Sequence, residues 1–424
     1  MLAPTLYQHQ LDSIEQLLDG KHIIIAETGV GKGAISVKWA EERCKETGKT
    51  RLLVVTTASK AHMNPNDFEQ DIETWCAPTF RDSLTEFETI SWAKLVSWVD
   101  QNWEKLEEWV VIFDEVAYAK AGVSSGRGKA FLKIARQTTD WAGFTATPGE
   151  NWLHHYPYFQ ACGLVKNKTS FMNTYASVQT YKGYPEIVGW RHEDTLKDMW
   201  ARISYAPDTR KVLSELPEQT HKVITFSKPK TYQKVLKTRY KANSDGTNPD
   251  DFLDTTMALC HHLRQICFTK EKQEWVKDFV ENLGRRLVVF YSYIEEGDKL
   301  EELCRKVLPR DAKIWRIDGR HHEIPTEKTC GERDVVLCQW QSGSEGINLQ
   351  FISYWLSVSP TYSYATSIQA RGRVRRIGSK HPVFYYYLKC ENCIEDDVYK
   401  ALKQKQDFAV ENWCISNKIG VEDV

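Results

Sequence analysis

Three isoleucines, Ile23-Ile24-Ile25, run directly into Ala26-Glu27-Thr28-Gly29-Val30-Gly31-Lys32-Gly33, and Ala34 to Cys44 then has the pattern of a helix. A short buried strand that turns through glycines into a helix constrains the fold more than any other feature of the chain. Gly29 and Gly31 let the backbone close around an anion without Cβ clashes. The helix start presents free N–H groups and the positive end of its dipole, and Lys32 is placed to pair with β- and γ-phosphates. Thr28, Gly29, Val30, Gly31, Lys32 and Gly33 are therefore the candidate nucleotide-binding residues. The plainer alternative is a glycine-rich turn with no ligand. One position departs from the pattern. Such loops carry Ser or Thr after the lysine, where the hydroxyl ligates Mg²⁺, and here it is Gly33. Either a water fills that position or activity is impaired.

The second feature is Val110-Val111-Ile112-Phe113-Asp114-Glu115, an apolar strand ending in two carboxylates 82 residues after Lys32. At the carboxyl edge of a parallel sheet these acids stand beside the phosphate loop. Asp114 would hold Mg²⁺ through water, and Glu115 would position or deprotonate the attacking water. An acidic strand end on the surface is the alternative.

Strand and helix patterns alternate twice along the 424 residues, which predicts an α/β fold with parallel sheets. From the N-terminus to about residue 165, Leu11, Ile14, Leu17 and Leu18 line a helix face, and Leu52–Val55 and Val110–Phe113 read as buried strands. Residues 166–268 lose the rhythm and predict a mostly helical, irregular insert. It carries a basic cluster of Lys222, Lys228, Lys230, Lys234, Lys237, Arg239 and Lys241. From 269 the rhythm returns, with a helix over 271–282 and strands at 287–291, 314–317, 335–338, 354–358 and 383–388. The net charge of −1 leaves no global positive field, so a polyanion must be held by local patches. Eleven cysteines without framework spacing suit free thiols in a reducing compartment. With no run of 18 apolar residues, no membrane span is expected, and the expected location is cytoplasmic.

At this point the chain resembles a known family. Thr145-Ala146-Thr147-Pro148 resembles motif III of superfamily-two helicases. Ser342-Gly343-Ser344-Glu345-Gly346-Ile347-Asn348-Leu349 resembles motif V, and Gln369-Ala370-Arg371-Gly372-Arg373-Val374-Arg375-Arg376-Ile377-Gly378 resembles motif VI. Leu6-Tyr7-Gln8-His9-Gln10 is similar to the element before the phosphate loop that reads adenine, which points to Gln10, with Gln8 as a rival. Gly-Ile-Asn-Leu, Arg-Ile-Gly followed by Pro382-Val383, Leu216-Pro217 before a strand, Tyr232-Gln233, and Leu263-Arg264-Gln265-Ile266-Cys267 are similar to the Swi/Snf-like ATPases. Glycine after the loop lysine also occurs in strawberry-notch relatives. The second motif reads Asp-Glu-Val-Ala, without the histidine that usually couples it to motif III.

The resemblance implies two RecA-like lobes, spanning 1–165 and 269–424, with ATP and Mg²⁺ as cofactors. Lys32, Asp114 and Glu115 would come from the first lobe. The second would supply Gln369 and the arginine fingers Arg373 and Arg376, with Gly346 near the nucleotide and Arg371 and Arg375 facing elsewhere. A patch of four arginines binding phosphate is the alternative. Thr57, Ser59, Lys60, Ser342 and Ser344 would touch nucleic-acid phosphates, which read no sequence. The implied function is a monomeric ATP-dependent translocase or helicase on duplex or branched DNA, of compact bacteriophage type and working beside viral replication or recombination proteins. A nucleotide-gated DNA-binding switch and an RNA helicase are the rivals. Cys390-Glu391-Asn392-Cys393 offers two zinc ligands with no second pair. His261-His262 and His321-His322 lack carboxylate partners in sequence.

Overall fold

The structure, a computed structural model, describes residues 5–61, 67–149, 151–181, 184–343 and 347–409. The chain divides into two units, Met1–Ser214 and Glu215–Val424.

In the first unit a helix, α1 (Gln8–Leu18), precedes β1 (Ile23–Ile25), which passes into α2 (Lys32–Thr47). Then come β2 (Arg51–Thr56), β3 (Glu86–Ser91), β4 (Trp109–Asp114) and β5 (Trp141–Thr145). A hairpin of β6 (Ala176–Tyr181) and β7 (Tyr184–Trp190) follows, and β8 (Ser204–Tyr205) comes last. The main sheet runs β3-β2-β4-β5-β1-β8 with every pair parallel. Successive side chains of a strand point to opposite faces, and here both faces are covered. Ile23, Leu53, Val55, Val111, Phe113 and Trp141 enter one core. Ile24, Leu52, Val54, Val110, Ile112 and Phe144 enter the other. That is why the central strands read as unbroken apolar runs.

The second unit repeats the plan with β9 (Gln219–Phe226), β10 (Leu287–Tyr291), β11 (Ile314–Ile317), β12 (Val335–Gln339), β13 (Tyr354–Ser357) and β14 (Val383–Cys390). The order is β11-β12-β10-β13-β14-β9, again all parallel. Val288, Phe290, Val336 and Trp355 face one core, and Leu287, Val289, Val335 and Leu356 the other. The fold is α/β with two six-stranded parallel sheets.

The stretch 166–268, expected as one mostly helical insert, is divided between the units. Its first part adds the β6–β7 hairpin and β8 to the first unit, and β9 forms an edge of the second sheet. The divergence has a physical reason. Edge strand β9 is mostly exposed and so carries no apolar run, yet it pairs with β14 from Val383↔Gln219 to Cys390↔Phe226. Among the described residues no helix is long and apolar enough to cross a membrane.

Candidate nucleotide-hydrolysis site

In a parallel sheet all strands end on one edge. The neighbouring strands β2, β4, β5 and β1 therefore bring Thr56, Asp114, Thr145 and the Ala26–Gly33 loop together, although they are far apart in sequence. The loop takes the shape its glycines allow. Gly29 and Gly31 have φ of 85° and 87°, a left-handed region that costs any residue with a Cβ. α1 buttresses the loop from behind. His9 Nε2 lies 2.9 Å from the Val30 carbonyl, and Gln10 Nε2 donates to Gly31 O at 3.4 Å. Gln10, expected to read adenine, is buried and also accepts from Tyr7 N at 2.9 Å, so in the structure it supports the loop. Its rival Gln8 is exposed and donates to Asp12. Lys32 curls over the loop, its ammonium donating to the carbonyls of Ala26 and Glu27 at 2.9 and 3.0 Å.

Asp114 is buried at the end of β4. Its Oδ2 accepts from Thr56 Oγ1 at 2.6 Å and from Lys60 Nζ at 2.8 Å, and Trp92 Nε1 donates to its carbonyl at 2.8 Å. Burial pushes the carboxyl pKa up. The Lys60 ammonium, the Thr56 hydroxyl and the Lys32 charge more than offset that and hold it below the usual carboxylate value. Lys60, expected on a nucleic-acid backbone, thus turns inward to this acid.

Glu115 has φ 51° and ψ 53°, left-handed for a residue with a Cβ, a strain on the order of 1–3 kcal/mol. Its Oε2 accepts from Thr145 Oγ1 at 3.2 Å, and Thr145 Oγ1 in turn accepts from Thr147 N at 3.0 Å. The buried Tyr158 hydroxyl lies 3.3 Å from both the Val116 and Pro148 carbonyls. The second and third motifs are therefore joined directly, without the absent histidine. Thr56, Trp92 and Tyr158 escaped sequence reading because their neighbours are set by strand order.

Gly33 has a neighbour that sequence reading also missed. A Cβ built there would lie 2.1 Å from Asp71 Oδ2, on the helix Asp67–Trp75. A carboxylate occupies the space next to the residue that lacks a hydroxyl.

In the second unit, Gln369 is buried near the end of the helix Tyr364–Arg371. Leu349 N donates to Arg373 O at 3.0 Å, tying the two motif-like stretches together. Arg376 N donates to Ser379 Oγ at 3.0 Å. Arg375 Nε donates to Pro217 O at 2.8 Å, and Tyr385 donates to the Arg371 carbonyl at 3.1 Å. Ser342 is half-buried in the short helix Trp340–Gly343. Ser344 and Gly346 lie outside the described residues, as does the side chain of Ser59. Thr57 is buried, its carbonyl accepting from Ala61 N. Part of the basic cluster serves the fold: Lys234 donates to Ser244 O, Lys241 pairs with Asp251, and Arg239 donates to Leu253 O.

Two discounted features look different in three dimensions. Cys267 joins Cys390 and Cys393, with 3.7 Å between the sulfurs of Cys267 and Cys393. All three thiols have backbone carbonyl acceptors, and Glu395 takes the buried Lys272. His321 does have a carboxylate partner, Asp318 at 3.1 Å, which the turn brings close. His262 accepts from Ala242 N at 3.0 Å.

Residues 271–378 match the model of the helicase conserved C-terminal domain. The mouse DNA repair and recombination protein RAD54B is 29% identical over 131 residues, 29% of this chain and 14% of that protein. An uncharacterized ATP-dependent helicase of Bacillus subtilis, YqhH, is 22% identical over 162 residues, 36% of this chain and 27% of that protein. The chain thus covers well under two thirds of either relative. The solved Sulfolobus solfataricus SWI2/SNF2 ATPase core in complex with dsDNA has a TM-score of 0.42 and 14% identity, covering 95% of this chain and 91% of that one. The likeness is thus to a helicase C-terminal domain over residues 271–378 and, over part of the chain, to a DNA repair and recombination protein and an ATP-dependent helicase. Mouse, bacterial and invertebrate-virus proteins are among the relatives, and these lend no support to a bacteriophage origin.

Proposed function

We propose that this chain is a DNA-dependent ATPase that couples ATP hydrolysis to movement along duplex DNA. The observation that carries the reading is one sheet edge holding the glycine loop with Lys32, the ionised Asp114, and a Glu115 aimed by Thr145.

The donor set fits Mg²⁺: a buried, ionised carboxylate at Asp114 and a second carboxylate over Gly33. Mg²⁺, when bound, offsets charge on the β- and γ-phosphates. Lys32 and the N–H groups at the start of α2 bind the phosphates. Glu115 orients the attacking water and receives its proton at Oε2. Arg373 and Arg376 answer the charge that grows in the transition state. Backbone phosphates of DNA are held without base reading, so binding is expected to be independent of sequence.

The test is ATP turnover measured with no nucleic acid, single-stranded DNA, duplex DNA and RNA. Duplex DNA is expected to stimulate most. Nucleotide binding with no DNA-stimulated phosphate release would favour the binding switch, and greater stimulation by RNA would favour an RNA helicase. Thr145→Val is expected to retain ATP affinity while lowering DNA-stimulated turnover, since it removes the hydroxyl that donates to Glu115 Oε2 at 3.2 Å. Unchanged turnover would remove Thr145 from the coupling.

A further inference from the structure

The departure at Gly33 has a structural counterpart. Loops of this kind usually place a hydroxyl one bond beyond the Cβ of this residue, as a metal ligand. Here Asp71 Oδ2 stands 2.1 Å from where that Cβ would be, with Asp71 Cγ 3.0 Å away. Helix Asp67–Trp75 is anchored there by its own core residues, since Phe68 and Ile72 are buried with Ile35, Val37 and Ala40 of α2. The carboxylate is therefore brought to the loop by packing between two helices, and any side chain at 33 would displace it.

We propose that Asp71 supplies, from a neighbouring helix, the Mg²⁺ ligand that residue 33 lacks. This rests on the nucleotide-binding reading of the loop. A carboxylate differs from the hydroxyl it replaces in one measurable way. The hydroxyl is neutral, whereas the carboxylate is negative and repels phosphates unless a cation lies between them. Asp71 therefore makes nucleotide binding depend more steeply on the metal: it weakens binding of metal-free nucleotide and strengthens binding of the Mg²⁺ complex. The glycine is then an adaptation to the acid, because Gly33 with Asp71 forms one solution and a hydroxyl at 33 without the acid forms the other.

The experiment measures affinity for a fluorescent ADP, with Mg²⁺ and with EDTA, in the full chain. Asp71→Asn is expected to shrink the ratio of the two affinities by about tenfold, equal to about 1.4 kcal/mol, with tighter binding in EDTA. Gly33→Ala, which leaves Asp71 intact but displaces its carboxylate, is expected to do the same. The pair Gly33→Thr with Asp71→Ala is expected to recover tight Mg²⁺-dependent binding that Gly33→Thr alone lacks. Mn²⁺ paramagnetic resonance of the ADP complex gives a second readout, with weaker ion retention expected in Asp71→Asn. A ratio unchanged in both Asp71→Asn and Gly33→Ala, with nucleotide still bound, overturns the role of Asp71 alone. A wild-type chain that binds no nucleotide overturns the phosphate-loop reading as well.

Discussion

Glu115→Gln is expected to bind ATP and DNA with near wild-type affinity while hydrolysing ATP about two to four decades more slowly, the usual worth of a positioned general base. Glutamine keeps the length of the side chain, and its carbonyl still accepts from the Thr145 hydroxyl, which now reaches Glu115 Oε2 at 3.2 Å. The backbone at φ 51° need not change. What is lost is a group able to accept a proton. Lys32→Ala is expected to act one step earlier. It removes the cation held over the loop by the carbonyls of Ala26 and Glu27, and with it one of the charges that keep Asp114 ionised. Nucleotide binding should fail together with turnover. Equilibrium binding and single-turnover hydrolysis separate the two variants. Wild-type rates in both would show that this sheet edge is not where ATP is hydrolysed.

Arg376→Ala is expected to leave ATP affinity nearly intact and to cut turnover by at least about two decades, because an arginine finger acts mainly on transition-state charge. The four arginines between 371 and 376 are not equivalent. Arg375 spends its Nε on the Pro217 carbonyl, and Arg371 is packed where Tyr385 reaches its backbone. The Arg375 side chain thereby serves the second unit's own fold. Arg376 opens a tight turn closed by Ser379. Its guanidinium is assigned by the spacing from Gln369 rather than by contacts within the unit. The measurement is steady-state turnover alongside ATP and DNA affinity. Unchanged turnover with weakened DNA binding would move Arg376 to the nucleic-acid face.

Much of this molecule is legible in its sequence because central parallel strands are buried on both faces. Ile23–Ile25, Val110–Phe113 and Leu287–Tyr291 can only be apolar runs there. The glycine loop is largely local: its glycines, lysine and helix start lie within eight residues, and the left-handed turns at Gly29 and Gly31 follow from residue type. Edge strands β3 and β9 carried no such signal, since Glu86–Ser91 and Gln219–Phe226 mix polar and apolar residues on partly exposed faces. Distance in sequence hid the rest. Lys60 could be read as a phosphate contact until the sheet placed β2 beside β4 and the ammonium beside Asp114. Asp71 carried no motif, and its meaning comes from the packing of its helix against α2 over a residue with no side chain. The strand-loop-helix that can hold a phosphate, and the acids that follow it, are written in local residue order. Which side chains aim, ionise and complete that site depends on strand order and helix packing rather than on spacing along the chain, so those contacts emerge when the elements assemble.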